Sequence, residues 1–262
     1  MDLSFMKEEE FKPIVKRFLQ SLGFDVFEIE NKQGILTPDF EAIGKNDKYT
    51  IELKIKCDDQ EEVSTESEVL SRGESITKSI PLSPRNTLGG IIRDGVKQLI
   101  EHDHKGDSFR ILWLHCGGQD PSLHNERFQS TLFGSQMLIS LRRSGIITCY
   151  YFHESAFYTW RNYLDGAILT HENKALLCIN SLSPRVEQFR QSELVIGMSN
   201  GLCDPKLEES SDGVMIADCS IDRKRPGKIL GYLQDKYGLD HLRALPMKRH
   251  TIAVSLPASD DS

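Results

Sequence analysis

The 262-residue sequence predicts an α/β protein with a mixed central sheet flanked by helices. Three observations carry that prediction. An amphipathic helix pattern opens the chain, an alternating two-strand pattern follows it, and strand and helix patterns then take turns.

The first helix is read over residues 11–22. Phe11, Ile14, Val15, Phe18, Leu19 and Leu22 recur at helical spacing, with Glu8, Glu9 and Glu10 at the N-terminal side and Gly23 as the stop. A hairpin comes next. Residues 40–43 are extended and apolar-rich, Gly44-Lys45-Asn46-Asp47 is turn chemistry, and residues 49–55 alternate. On the second strand Tyr49, Ile51, Leu53 and Ile55 share one face, while Thr50, Glu52, Lys54 and Lys56 share the other. With Lys45 and Asn46 as the loop, Gly44 opposes Asp47 and Ile43 opposes Lys48. Continuing the count sets Asp39 opposite Glu52, where cross-strand Cβ atoms lie roughly 4.5–5.5 Å apart. A slip of one residue would throw the two carboxylates onto opposite faces.

Residues 57–75 hold seven acids against Arg72 alone, with little periodicity, and are expected to be a mobile polar excursion within a longer interruption, 57–87. A helix follows over 88–102, its stripe made by Leu88, Ile91, Ile92, Val96, Leu99 and Ile100, with Asn86 or Thr87 as its cap. Residues 109–115 read as a buried strand, 126–143 as a helix with Phe128, Leu132, Met137, Leu138 and Leu141 apolar, and 146–152 as a strand. Strand-like pieces recur at 167–170, 175–179 and 214–219, and a helix at 228–237. Residues 181–212 are loop-rich, with Pro184 and Pro205. A boundary near 180 divides the reading into a core, 1–180, and a C-terminal extension, 181–262.

Two carboxylates facing each other across a hairpin, with a lysine two residues on, are what a metal-dependent phosphodiesterase needs. A hard cation such as Mg²⁺ takes oxygen ligands at about 2.0–2.1 Å and keeps several waters. Lys54 on the same face can orient one of those waters or help deprotonate it. Pro38-Asp39 followed by Glu52-Leu53-Lys54 resembles the signature of the PD-(D/E)xK nuclease superfamily, over roughly residues 1–155. The resemblance implies a restriction-endonuclease-like core, Mg²⁺ held by Asp39 and Glu52 with Mn²⁺ as a substitute, and Lys54 as the water-activating lysine. It also implies an acidic residue from the preceding helix. One sequence does not choose among Glu8, Glu9 and Glu10, and Glu10 is carried forward as the third metal ligand. The helix after the second strand commonly adds a Gln or Lys, here Gln98 at the edge of its stripe, although the 57–87 spacer is longer than the family's pattern. The activity implied is phosphodiester hydrolysis, in DNA before RNA, for DNA processing or defence against foreign DNA. Folds host unrelated functions, so a non-catalytic module binding nucleic acid or protein, or a subunit needing a partner, stays open beside it.

Composition sets outer bounds. A net charge of −7 conceals an uneven distribution, since residues 221–250 hold eight bases against three acids. Arg223, Lys224, Arg225 and Lys228 are the candidates there for a phosphate backbone; a solvated helix face is the alternative. No apolar run approaches a membrane span and the N-terminus lacks a secretory layout. The six scattered cysteines form no Cys-x-x-Cys pair and read as reduced thiols of a cytoplasmic protein, neither a disulfide frame nor a zinc site. Expected partners are nucleic acid and, left open, a second copy or a partner subunit, with no membrane. There is no phosphate-binding Gly-rich loop and no nucleophile elbow, which sets nucleotide-binding and acyl-enzyme chemistry aside.

Overall fold

The computed structural model describes residues 7–30, 36–82, 86–103, 106–141, 143–211, 213–246 and 249–255, leaving aside the side chains of 86, 143 and 249. The chain runs through α1 (Glu8–Ser21), β1 (Asp25–Glu28), β2 (Phe40–Ile43), β3 (Lys48–Lys56), α2 (Gln60–Ser71), β4 (Ile76–Pro81), α3 (Asn86–His102) and β5 (Phe109–Cys116). It continues with α4 (Pro121–Phe133), β6 (Gln136–Ser140), β7 (Arg143–Tyr150), α5 (Ala156–Thr159), β8 (Gly166–His171) and β9 (Lys174–Ile179). Then come α6 (Val186–Arg190), α7 (Glu193–Gly197), β10 (Leu202–Cys203), α8 (Pro205–Glu209), β11 (Val214–Ile216), α9 (Pro226–Tyr237), β12 (Leu242–Ala244) and β13 (Arg249–Val254).

The fold is mixed α/β. Its main sheet has the order β1-β2-β3-β5-β8-β9-β10. The antiparallel hairpin β2–β3 leads into parallel β3, β5 and β8, and antiparallel β9 follows. β5 is buried along its whole length, as a parallel strand covered on both faces must be. On one face Phe11, Val15 and Leu19 of α1 pack with Tyr49, Ile51, Leu53, Trp113 and Phe189. Leu88, Ile92, Val96 and Leu99 of α3, with Phe128 and Leu132 of α4, cover the other face against Leu112, Leu114 and Leu169. A second sheet, β11-β7-β6-β12, packs its Leu138, Ile147 and Met215 against Ile229 and Leu233 of α9. Residues beyond 180 contribute strands to all three sheets, so the main sheet runs across that position.

The hairpin has the expected register. Gly44 N–H donates to Asp47 O at 2.8 Å, and Ile43 pairs with Lys48, Ala42 with Tyr49 and Phe40 with Ile51. Gly44 leaves room at this corner for the Glu193 carboxylate, which a Cβ there would displace. That carboxylate accepts the Lys45 N–H at 2.9 Å and so ties the turn to α7.

Two expectations are corrected. The helix expected over 126–143 is instead α4, ending at Phe133, followed by strand β6. Asp120 caps α4 by accepting the Leu123 N–H, and Gly134 stops it in a left-handed conformation, φ 58°. A Cβ at Gly134 would lie 2.6 Å from His153 O. Beyond that stop, Gln136, Leu138 and Ser140 alternate inward, which overrides the chance helical spacing of the leucines. The acidic stretch is the second correction. Asp59 caps α2 through the Glu61 N–H, β4 pairs antiparallel with β13, and Asp58 bonds His124 at 2.6 Å. The excursion is therefore ordered, although α2 buries none of its residues. The basic position Lys248 lies outside the described residues, as does the Asn86 side chain.

Candidate active site

β2 begins at Phe40, one residue after Asp39, so the β2-facing edge of β3 beyond Ile51 is left without a strand partner. Asp39 fills that gap. Its Oδ2 accepts the Leu53 N–H at 2.9 Å, and its carbonyl accepts the Ile29 N–H at 2.9 Å. Continuing the ladder by one residue sets Asp39 across from Glu52, near enough for its charge to act on the Glu52 carboxyl. Lys54, two residues along the same face, makes an ion pair with Glu52 Oε1.

Glu52 is 0% exposed. Helix α3 buries it: a Cβ built on Gly95 would lie 3.3 Å from Glu52 Cγ, 3.7 Å from Lys54 Cγ and 2.6 Å from Leu112 Cδ2. Glycine lets the helix come this close. Despite the lysine, neither carboxylate oxygen of Glu52 accepts a well-formed hydrogen bond from the described residues. Burial, and then the neighbouring Asp39 charge, push the Glu52 carboxyl up to about 8, against the pull of Lys54. Burial alone would lower the Lys54 ammonium, yet Glu52, Glu8 and Asp39 outweigh it and hold it above its ordinary value. Lys54 is thus a charged donor in this state and not a free base.

The helix α1 places its acids differently from expectation. Glu10 is exposed and its Oε2 accepts the Lys7 N–H at 3.0 Å, closing the first turn of α1. It caps a helix and does not meet the site. Glu8 is the acid that approaches it, 3.9 Å from Lys54 Nζ. Lys12, which sequence reasoning missed, reaches Asp39 Oδ1 at 3.0 Å while holding Glu9 Oε1 at 2.6 Å. The signal was present: Lys12 follows Glu8 by four residues and Glu9 by three, beside the buried Phe11.

Gln98 is drawn to the site's backbone instead of its carboxylates. Its Nε2 donates to Thr37 O at 3.0 Å, which holds the segment entering Pro38-Asp39 against α3. The basic candidates divide. Arg223 is only 7% exposed, its guanidinium donating to the carbonyls of Ala217, Cys219 and Ile221 and stacking 4.1 Å from the centre of the Tyr158 ring. It holds the loop before α9 together and is withdrawn as a phosphate contact. Lys224, Arg225 and Lys228 are exposed around the start of α9, with Arg225 3.9 Å from Asp222.

Among the described residues no group of three or more His, Cys, Asp or Glu side chains is arranged to hold a metal ion. What is present is a pair of carboxylates. Mg²⁺ is commonly held by one or two carboxylates with waters completing its shell. The buried oxygens of Glu52, short of donors, beside a second carboxylate are a donor set that fits such an ion. No family model, curated protein or solved structure matches the chain. Among the described residues no helix is long and apolar enough to cross a membrane.

Proposed function

We propose that the chain is a Mg²⁺-dependent nuclease on a restriction-endonuclease-like core, hydrolysing phosphodiester bonds, with DNA as the substrate. The observation that carries this reading is Glu52: a fully buried carboxylate, short of hydrogen-bond donors, across a hairpin from a second carboxylate and paired with a lysine. A buried carboxyl whose ionisation is made costly, beside a second carboxylate and a lysine, is the kind of perturbed group that clusters at functional sites.

Asp39 and Glu52 would hold the metal, with Mn²⁺ able to replace Mg²⁺. When bound, the ion supplies charge stabilisation at the phosphate and a more acidic bound water. The chain's own groups do the rest. The Leu53 N–H fixes the rotamer of Asp39, and Gln98 fixes the backbone that presents it. Charged Lys54 donates to a phosphate oxygen or to the attacking water and orients it. Gly95 lets α3 exclude solvent from Glu52, which strengthens every interaction the carboxylate makes. Exposed Lys224, Arg225 and Lys228 are available to a phosphate backbone. A role in processing DNA or in defence against foreign DNA accords with this chemistry.

A binding-only module is favoured by one observation. Each carboxylate already has a lysine partner, Lys12 on Asp39 and Lys54 on Glu52, so the pair is neutralised without added metal. The two readings part on labelled single-stranded and duplex DNA and RNA incubated with Mg²⁺ or EDTA. The nuclease reading expects Mg²⁺-dependent product, greatest with DNA. Binding of DNA in EDTA at full strength, with no product in Mg²⁺, would replace it with the module.

A further inference from the structure

Lys12 stands where paired carboxylates need a cation. Its Nζ lies 3.0 Å from Asp39 Oδ1 and 2.6 Å from Glu9 Oε1, and its side chain is 13% exposed. The other oxygen of Asp39 is committed to the Leu53 N–H. The oxygen that holds no backbone amide, and so is the more open to a ligand, is the one that the ammonium covers. α1 has little freedom to carry Lys12 away, because Phe11, Val15 and Leu19 are buried in the core and Phe11 stacks on His115 at 3.9 Å. The lysine's own four-carbon stem can swing instead, and Glu9, mostly exposed, gives the released ammonium a second partner. Burial by itself would lower the Lys12 ammonium, but its hydrogen bonds to Glu9 and Asp39 outweigh that and keep it charged.

We propose that Lys12 is a tethered counter-ion that occupies Asp39 in the metal-free protein and must release it when a divalent cation binds, so that Lys12 sets the metal affinity of the site. This inference rests on the reading of Asp39 and Glu52 as metal ligands. The physical argument is competition for one oxygen. A single positive charge on a flexible stem neutralises the Asp39 carboxylate when no divalent ion is bound. A divalent ion brings twice the charge but gains only the difference between its own interaction and that of the displaced ammonium. The same lysine that neutralises Asp39 competes with a divalent ion for it.

The test is Mn²⁺ binding by the full-length protein, followed through the loss of the free-ion electron paramagnetic resonance signal, with no substrate present. Lys12→Met keeps the apolar stem and removes the charge; Lys12→Arg keeps the charge; Asp39→Ala removes the ligand. Lys12→Met is expected to bind Mn²⁺ about three- to tenfold more tightly than wild type, the scale of one ion pair lost from competition. Lys12→Arg is expected to stay near wild type, and Asp39→Ala to lose binding. Lys12→Met is also expected to melt lower than wild type in EDTA and to recover that difference when Mn²⁺ is added. Affinity that is unchanged or weaker in Lys12→Met, while Asp39→Ala still abolishes binding, would overturn the counter-ion role and leave the metal site standing. So would an Lys12→Arg protein that binds as tightly as Lys12→Met. Absence of Mn²⁺ binding in wild type and Lys12→Met alike would remove the metal reading itself, and the counter-ion role with it.

Discussion

Asp39 Oδ2 accepts the backbone N–H of Leu53 at 2.9 Å, which binds the first carboxylate of the site to the residue standing between Glu52 and Lys54. The loop side chain thus takes the place of the strand neighbour that β3 lacks on its β2 side beyond Ile51. One hydrogen bond satisfies an edge amide and aims a carboxylate at the same time.

The raised Glu52 carboxyl makes a stability prediction with a definite sign. Its pKa rises from an ordinary 4.5 to about 8 on folding. The folded state then binds the proton more tightly than the unfolded chain. This group's contribution is fully present below about pH 4.5 and is lost as pH rises through about 8. Glu52→Gln cannot lose it. In EDTA, the melting temperature of Glu52→Gln relative to wild type is expected to climb between pH 5 and pH 8. A gap that stays flat across that range would contradict the burial argument.

Gly95 sits where no larger residue fits. Gly95→Ala would set a Cβ 2.6 Å from Leu112 Cδ2 and 3.3 Å from Glu52 Cγ. Overpacking of this kind costs about 1–3 kcal/mol, read from denaturant unfolding. The displacement falls first on Leu112 and then on Glu52 Cγ, so Mn²⁺ affinity is also expected to drop in the same variant. Gly90→Ala, on the same helix with only the Arg93 side chain near, at 4.0 Å, is the control: it should gain about 0.5–1 kcal/mol from helix propensity and leave Mn²⁺ affinity unchanged.

The two assignments for α1 acids separate by substitution. Glu10→Ala removes the acceptor for the Lys7 N–H and is expected to cost about 1 kcal/mol with metal affinity unchanged. Glu8→Gln removes a carboxylate 3.9 Å from Lys54 and is expected to lower the Lys54 pKa, visible as a shift of its ε-methylene resonance titration. Loss of metal binding in Glu10→Ala would return that residue to the site.

Arg223 and its basic neighbours are expected to behave oppositely. Arg223→Ala strips three carbonyls of a charged donor and should destabilise the fold by about 3 kcal/mol. Lys224→Ala with Lys228→Ala should leave unfolding unchanged. The same pair should weaken DNA binding and reduce the slope of log affinity against log salt by about 2, one unit per lost phosphate contact. An unchanged slope would take nucleic acid away from the start of α9.

Much of the site is legible in the sequence because the hairpin is local. The Gly44–Asp47 turn admits one two-residue loop, and alternation over β3 then assigns Glu52 and Lys54 to a common face. The sequence does not show that this face is buried. Polar residues alternating with apolar ones read as a solvated edge, and only the packing of α3 at Gly95 turns Glu52 inward. Lys12 is legible from helical spacing once α1 is known to lie beside Asp39, which is a tertiary fact. Arg223 illustrates the limit of charge counting, since a sum over 221–250 cannot distinguish a guanidinium that knits a loop from one facing solvent. The α4 boundary was within reach through Gly134, but the pairing of β4 with β13 joins segments some 170 residues apart and has no local signature.

Nicking of supercoiled plasmid in Mg²⁺, Mn²⁺ or EDTA, by wild type beside Asp39→Ala and Lys54→Ala, tests the central claim most directly. Nicking is expected with either metal and not in EDTA, and each substitution is expected to slow it by about 10²-fold or more. Metal-dependent nicking that survives both substitutions would show that Asp39, Glu52 and Lys54 are a buried polar cluster of the fold and that the chemistry lies elsewhere.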